Sequence, residues 1–147
     1  MMNDKLIQNE PVWAADRPET SQTRPVNIGS GLVVGSHDVV LMAGPCSVES
    51  YEQTRIVAQE VSRMGGRVLR GGAFKPRTSP YSFQGLGQEG LEILRAVADE
   101  FGLYVITEAL GVEQLPLVAK YSDIIQIGSR NMQHYPLLWA VGEMDKP

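Results

Sequence analysis

From residue 26 onward, short runs of apolar residues alternate with longer stretches in which apolar residues recur every three or four positions. Runs of the first kind are typical of buried strands, and stretches of the second kind are typical of amphipathic helices. The predicted strands are 39–43, 67–70, 104–107 and 124–127. Because strands that alternate with helices are usually parallel, the pattern predicts an α/β fold, either a doubly wound sheet or a (β/α)8 barrel.

Local signals place the ends of the predicted helices. Ser50 and Gln53 form a capping box that starts the first helix, and Gly65 follows its last turn. The second helix is predicted over 88–101, and the third is predicted to begin at Pro116, since proline suits a first helical turn. Each of these helices lies between two predicted strands and can serve as a crossover connection.

The residues before position 26 lack this alternation. They are polar, contain three prolines and show no period, which predicts an extended polar arm over 1–25. Two short apolar runs, 26–28 and 32–34, flank a Gly-Ser-Gly sequence and predict a β-hairpin. The chain is therefore interpreted as an arm followed by one domain over 26–147.

Length and composition limit the class of protein. The chain has 147 residues, of which 43% are hydrophobic and 20% charged, an ordinary composition for one folded core. Its single cysteine excludes an internal disulfide framework, and its first residues lack the apolar segment of a secretory signal, so a cytoplasmic location is expected. No apolar run reaches the roughly 20 residues that cross a bilayer, so no membrane association is expected.

Positive charge is concentrated in one segment of a chain whose net charge is -4. Between Glu60 and Glu89 there are five basic residues and no acidic one. Three of them, Arg70, Lys75 and Arg77, stand among two glycines and two prolines, which allow close approach of the backbone and fix its direction. A solvated basic loop is the alternative. The segment favours a ligand with phosphate or carboxylate groups over nucleic acid.

Four separated motifs resemble those of the 3-deoxy-D-arabino-heptulosonate-7-phosphate (DAHP) synthases of the short bacterial type. They occupy 44–50, 70–87, 107–108 and 126–133. The second motif contains Lys-Pro-Arg-Thr-Ser, which separates this family from the related octulosonate-phosphate synthases. The resemblance implies a (β/α)8 TIM barrel. Because such a barrel needs about 250 residues, the chain is expected to be a fragment that holds about its first half, strands 1 to 4 and the approach to strand 5.

The resemblance also implies a reaction. It is the aldol-type condensation of phosphoenolpyruvate with erythrose 4-phosphate to DAHP and phosphate, the first step of the shikimate pathway of aromatic amino acid biosynthesis. The fragment alone is expected to be inactive, and the full-length protein is expected to form dimers or tetramers. Two alternatives remain open, an octulosonate-phosphate synthase and a non-catalytic half-barrel that binds phosphate.

The family's residue roles transfer to matching positions in this chain. Arg70 and Lys75 are expected to face phosphoenolpyruvate, and Lys75 is also placed to move a proton. Arg77 and Thr78, together with Ser79, are expected to hold the sugar phosphate. Three further residues are expected to complete the site for the phosphate of phosphoenolpyruvate: Ser129, Arg130 and Lys146.

Two of the three remaining candidates, Glu108 and Cys46, follow predicted strands, where barrel enzymes place their chemistry. Glu108 is expected to act beside Lys75 by orienting substrate or water, or else to cap the next turn. Gln126 alternates with two isoleucines and is expected to point into the barrel. An isolated cysteine is usually a small buried residue, but the resemblance makes Cys46 a ligand of a divalent metal, Mn, Fe, Co or Zn. The remaining ligands are expected beyond Pro147.

Overall fold

The structure is a computed structural model that describes residues 25–147. The arm predicted over 1–25 lies, except for its last residue, outside the described residues. The helices and strands are β1 (Val26–Gly29), β2 (Leu32–Val34), β3 (Met42–Ala43), α1 (Tyr51–Arg63), β4 (Val68–Arg70), α2 (Gln88–Glu100), β5 (Tyr104–Glu108), α3 (Leu115–Tyr121), β6 (Ile124–Gln126) and α4 (Tyr135–Gly142). The predicted alternation of strands and helices is confirmed.

The four strands β3, β4, β5 and β6 form one parallel sheet in sequence order. The register pairs Val68 of β4 with Tyr104 of β5, and Ile106 of β5 with Ile124 of β6. Helices α1, α2 and α3 make the three crossovers. The α/β class with a parallel sheet is thus confirmed. Over the described residues the sheet is open, so the closed barrel that the resemblance implies is not seen.

The antiparallel hairpin of β1 and β2, also predicted, covers one face of this sheet. Its buried Leu32 packs with Val68 and Ile124, and the partly buried Tyr104 and Ile106 pack against the same cluster. Within β5, Tyr104 and Ile106 are two positions apart, so their side chains point to the same side of the sheet. Val68 and Ile124 pack on that side as well. The hairpin therefore closes that side of the sheet near the amino ends of the strands.

The helices cover the opposite face. Leu69 and Val105, which alternate with the hairpin-facing residues, pack with Leu94 and Val97 of α2 in one buried cluster. A second cluster joins Ile125 to α3 and α4. Fully burying one such Leu or Val side chain contributes about 1.5–3 kcal/mol. The sheet is therefore held rigidly from both sides, and its strand ends are fixed platforms for polar side chains.

Two local features refine the sequence prediction. The strand predicted over 39–43 is limited to its last two residues, because β4 pairs with β3 only from Val68 onward; Val39 is 96% exposed. Ser50 does cap α1 by accepting a hydrogen bond from the backbone N–H of Gln53 at 3.1 Å. The side chain of Gln53 returns to the N–H of Glu49, one residue before the position that a standard capping box would use.

The last residues return to the sheet after α4. The carbonyl oxygen of Pro147 accepts a hydrogen bond from the backbone N–H of Ile125 in β6 at 2.8 Å. This bond places Pro147 beside the middle of β6. None of the helices in the described part of the chain combines the length and apolar character needed to cross a membrane.

Candidate functional site

The carboxyl ends of three neighbouring strands carry polar side chains. Arg70, Glu108 and Gln126 are the last residues of β4, β5 and β6. Since side chains alternate along a strand, each points to the same side as the residue two positions earlier. Those earlier residues belong to, or pack against, the hairpin-covered cluster: Val68, Ile106 and Ile124. The strands thus bring the three polar side chains together beyond the apolar layer that the hairpin covers.

A chain of hydrogen bonds connects these side chains across the sheet. Arg70 donates through Nε to Oε1 of Gln126 at 3.4 Å, and Gln126 donates through Nε2 to Oε2 of Glu108 at 3.4 Å. Arg70 also donates through Nη1 to the carbonyl oxygen of Cys46 at 3.4 Å. The Gln126 amide therefore separates the guanidinium from the carboxylate, and the guanidinium is oriented without a direct ion pair.

Lys75 reaches the same edge from the loop after β4. Its side chain is 8% exposed, and its ammonium donates to the carbonyl oxygen of Cys46 at 2.7 Å and lies 3.5 Å from the Cys46 Sγ atom. Within residues 25–147 no carboxylate forms an ion pair with it. A buried charge is costly unless it is paired. An anionic ligand bound at this edge would therefore supply the partner that a charged Lys75 ammonium lacks among these residues.

Two glycines make room for these side chains. A Cβ atom at Gly72 would lie 2.9 Å from Nζ of Lys75 and 3.0 Å from the carbonyl oxygen of Cys46. A Cβ atom at Gly128 would lie 2.0 Å from Oε1 of Glu108. The role of Gly128 was missed from the sequence, although a glycine directly after a strand often marks a close approach.

The thiol of Cys46 is exposed and lies in a positive environment. The charge of Lys75, helped by its hydrogen bond and by Arg70, holds the pKa of Cys46 below its usual range. A thiolate is the form of cysteine that binds metals. However, residues 25–147 contain no group of three His, Cys, Asp or Glu side chains that could hold a metal ion. By themselves these residues do not complete a metal site.

We call Cys46, Arg70, Lys75, Glu108 and Gln126 the carboxyl-edge cluster. A cavity of about 280 Å³ opens beside it. Its lining includes Glu108, Gln126, Gly128 and two residues of the short turn after β6, Ser129 and Arg130. Arg130 donates through Nη1 to the carbonyl oxygen of Pro76 at 2.6 Å. The structure therefore brings Ser129 and Arg130 next to the carboxyl-edge cluster.

Arg77, Thr78 and Ser79 lie on the loop that follows Lys75. Arg77 donates through Nε to the carbonyl oxygen of Phe83, and the Ser79 hydroxyl accepts from the N–H of Tyr81. These contacts are internal to the loop, and Arg77 and Thr78 are exposed. The loop, not the sheet edge, positions these three residues.

Lys146 lies apart from the carboxyl-edge cluster in this structure, and its predicted role at the phosphate of phosphoenolpyruvate stays a prediction. Its ammonium donates to the carbonyl oxygen of Ala119 at 2.6 Å and to that of Ser122. Both residues precede β6, so Lys146 lies at the amino edge of the sheet. The physical reason is the bond between Pro147 and Ile125, which places the residue before Pro147 near the start of β6, away from its carboxyl end.

Known proteins resemble this chain along most of its length. Phospho-2-dehydro-3-deoxyheptonate aldolase of Thermotoga maritima is 57% identical over 114 residues, which are 78% of this chain and 34% of that protein. A crystal structure of the phospho-2-dehydro-3-deoxyheptonate aldolase (DAHP synthase) from Thermotoga maritima superposes with a TM-score of 0.76 at 53% identity, over 81% of this chain and 34% of that one.

A more distant relative is 2-dehydro-3-deoxyphosphooctonate aldolase of Geobacter sulfurreducens, which is 35% identical over 84% of this chain and 48% of its own length. The chain thus spans between a third and a half of the length of these curated relatives. The sequence model of the DAHP synthetase I family matches residues 19–147. This match covers most of the chain and includes every residue of the carboxyl-edge cluster. The chain therefore belongs to the DAHP synthetase I family.

Proposed function

We propose that this chain forms part of an enzyme that condenses phosphoenolpyruvate with erythrose 4-phosphate to give DAHP and inorganic phosphate. One observation carries the proposal: the buried Lys75 ammonium has no carboxylate partner among the described residues and lies at the carboxyl edge of the sheet, beside Arg70. Because the chain matches 34% of the length of its Thermotoga relative, the activity is proposed for the whole protein.

The sheet is proposed to be the first half of a (β/α)8 barrel. Its four parallel strands follow one another in sequence order, as barrel strands do. In a doubly wound sheet the order reverses at a switch point, and the described strands contain no such reversal. Catalytic residues of barrels lie at the carboxyl ends of the strands, and this is the edge that carries Arg70, Glu108 and Gln126.

The charges of this edge suit phosphoenolpyruvate, which carries a carboxylate and a phosphate. Arg70 can bind a planar carboxylate with two parallel hydrogen bonds, while the Lys75 ammonium acts as a point charge. Arg130 and the backbone of Ser129 line the neighbouring cavity and can bind the phosphate. Arg77, Thr78 and Ser79 are proposed to hold the phosphate of the sugar, for which the exposed loop has space.

In the proposed reaction a carbon–carbon bond forms between the methylene carbon of phosphoenolpyruvate and the aldehyde carbon of the sugar. Water adds its hydroxyl to the enol carbon and supplies the proton that the aldehyde oxygen takes up. The bond between the enol carbon and the phosphate oxygen then breaks, inorganic phosphate leaves with the proton of the added hydroxyl, and that hydroxyl oxygen becomes the keto oxygen of the product. Lys75 is proposed to move a proton in this sequence. Glu108, through Gln126, orients Arg70 and can also orient the attacking water.

Members of this family generally depend on a metal ion. Cys46 would supply one ligand, in the thiolate form that Lys75 favours. The described residues do not complete the set, so the roles proposed above involve no metal. That the whole protein forms dimers or tetramers in the cytoplasm stays a prediction.

A chimera tests the proposed function. Residues 25–147 would replace the matching segment of the Thermotoga maritima relative, and phosphate release from phosphoenolpyruvate would be measured with erythrose 4-phosphate, with arabinose 5-phosphate and without a sugar. We expect release with erythrose 4-phosphate alone. A folded chimera that prefers arabinose 5-phosphate would support the octulosonate-phosphate alternative. The sequence supports this alternative less, since the identity is 35% to the octonate aldolase and 57% to the heptonate aldolase. A folded chimera that releases no phosphate would contradict both.

A further inference from the structure

A second cavity, of about 550 Å³, lies at the amino edge of the sheet. Arg67 precedes β4, Leu103 precedes β5 and Asp123 precedes β6, and all three line it. Ser30, in the turn of the hairpin, also contributes. The length of β5, five residues at about 3.3 Å each, separates this amino-edge cavity from the carboxyl-edge cluster by about 15 Å. A ligand here cannot be the same molecule as one bound to Lys75.

The charges that line the amino-edge cavity are not balanced. Its two carboxylates, Asp99 and Asp123, are both paired with Arg95, at 2.7 and 2.8 Å. Asp123 also accepts a hydrogen bond from the backbone N–H of Val105. Three further cations line the same cavity: Arg67, Lys120 and Lys146. One arginine therefore pairs with both acids, three cations have no carboxylate partner in the lining, and the four cations exceed the two acids by two positive charges.

None of these three cations has a carboxylate partner among residues 25–147. The Arg67 side chain makes no hydrogen bond within this part of the chain, and the Lys120 ammonium lies over the ring of Tyr121 at 4.8 Å. Lys146 donates to carbonyl oxygens, which are neutral. In addition, the buried Nε atom of Arg95 has no acceptor within the described residues. The cavity thus combines uncompensated cations with a buried donor that lacks a partner.

We propose that the amino-edge cavity is an accessory site for a small multivalent anion, either a phosphate ester or a polycarboxylate. Arginine and lysine together bind such groups through charge-assisted hydrogen bonds. The volume of about 550 Å³ is within the usual range for small-molecule sites. Arg67 directly precedes β4 and Arg70 ends it, so an anion bound to Arg67 would lie at one end of the strand that carries part of the carboxyl-edge cluster at its other end.

Nuclear magnetic resonance of the ¹⁵N-labelled chain tests this proposal. Inorganic pyrophosphate and citrate would be titrated separately at constant ionic strength, which removes nonspecific screening effects. We expect the backbone amides of Gly102 and Ser122 to shift to saturation, independently of any shifts at Gly72 and Gly128 near the carboxyl-edge cluster. The anion that binds more tightly identifies the class of ligand, phosphate or carboxylate.

Variants distinguish a site from a general surface charge. Arg67→Ala and Lys120→Ala are each expected to weaken binding by about tenfold, the loss of one charge-assisted contact. Arg63→Ala makes the same change in net charge on α1, outside the cavity, and is expected to leave the affinity unchanged. If one cavity variant fails to fold, the other still gives the comparison. Shifts that do not saturate, or equal weakening by Arg63→Ala, would overturn the proposal.

Discussion

Both edges of the parallel sheet carry cations, and two of these, Lys75 at the carboxyl edge and Arg95 at the amino edge, have different partners. At the carboxyl edge, Lys75 is buried and its ammonium contacts a carbonyl oxygen and a thiol. At the amino edge, Arg95 is paired with Asp99 and Asp123. A cation without a carboxylate partner can bind an anionic ligand, whereas Arg95, paired with two carboxylates, connects α2, which carries Asp99, to Asp123 just before β6. The charge of the partner, more than the burial of the cation, indicates which cations can bind a ligand and which stabilise the fold.

The largest effect is expected from Lys75→Met in the chimera. If Lys75 serves the reaction, phosphate release should fall by a factor of about 10² to 10⁴, as for other residues that transfer protons. The free energy of unfolding should stay equal or rise, because methionine removes a buried charge that has no carboxylate partner among the described residues. Steady-state kinetics and urea unfolding measure the two effects. A variant that loses stability and activity together would show that Lys75 is a structural cation.

Arg95→Met makes the converse change at the amino edge. It leaves two carboxylates without their cation, and Asp123 is only partly exposed. The free energy of unfolding should fall by about 1–3 kcal/mol, measured by urea unfolding of the 147-residue chain. Arg63→Met, which removes a cation from an exposed pair with Glu60, is the matched control and should change stability little. Equal losses for both variants would remove the distinction between the two kinds of cation.

The parallel fold could be predicted because its apolar runs and its helical spacing of apolar residues can be recognised from the sequence alone. The extent of β3 could not, since Val39 and Leu41 are as apolar as Met42. Only the starting point of β4 decides which of these residues pair. Hydrophobicity therefore predicts that a strand exists, while the neighbouring strand determines its length.

The candidate site also has residues whose positions could be predicted from the sequence and residues whose positions could not. Arg70, Glu108 and Gln126 could be placed at one edge from the sequence because each lies at or next to the end of a predicted strand, and the carboxyl ends of parallel strands share an edge. Lys146 follows helix α4 and no strand, and in the structure it lies at the opposite edge, near the residues that precede β6. The amino-edge cavity had no sequence signal, because its cations come from separate helices and loops that only the fold brings together.

The smallest expected effect concerns Cys46, the only cysteine in the chain. Its pKa is held below the usual range by Lys75, so its thiolate should form at lower pH in the folded chain than in urea. Alkylation by iodoacetamide, followed against pH, reports the thiolate directly. Because Lys75→Met removes the positive charge that favours the thiolate, the profile of this variant should move to higher pH, toward that of the unfolded chain. Arg63→Met should leave the profile unchanged. If Lys75→Met also left it unchanged, the Lys75 charge would not act at the Cys46 thiol.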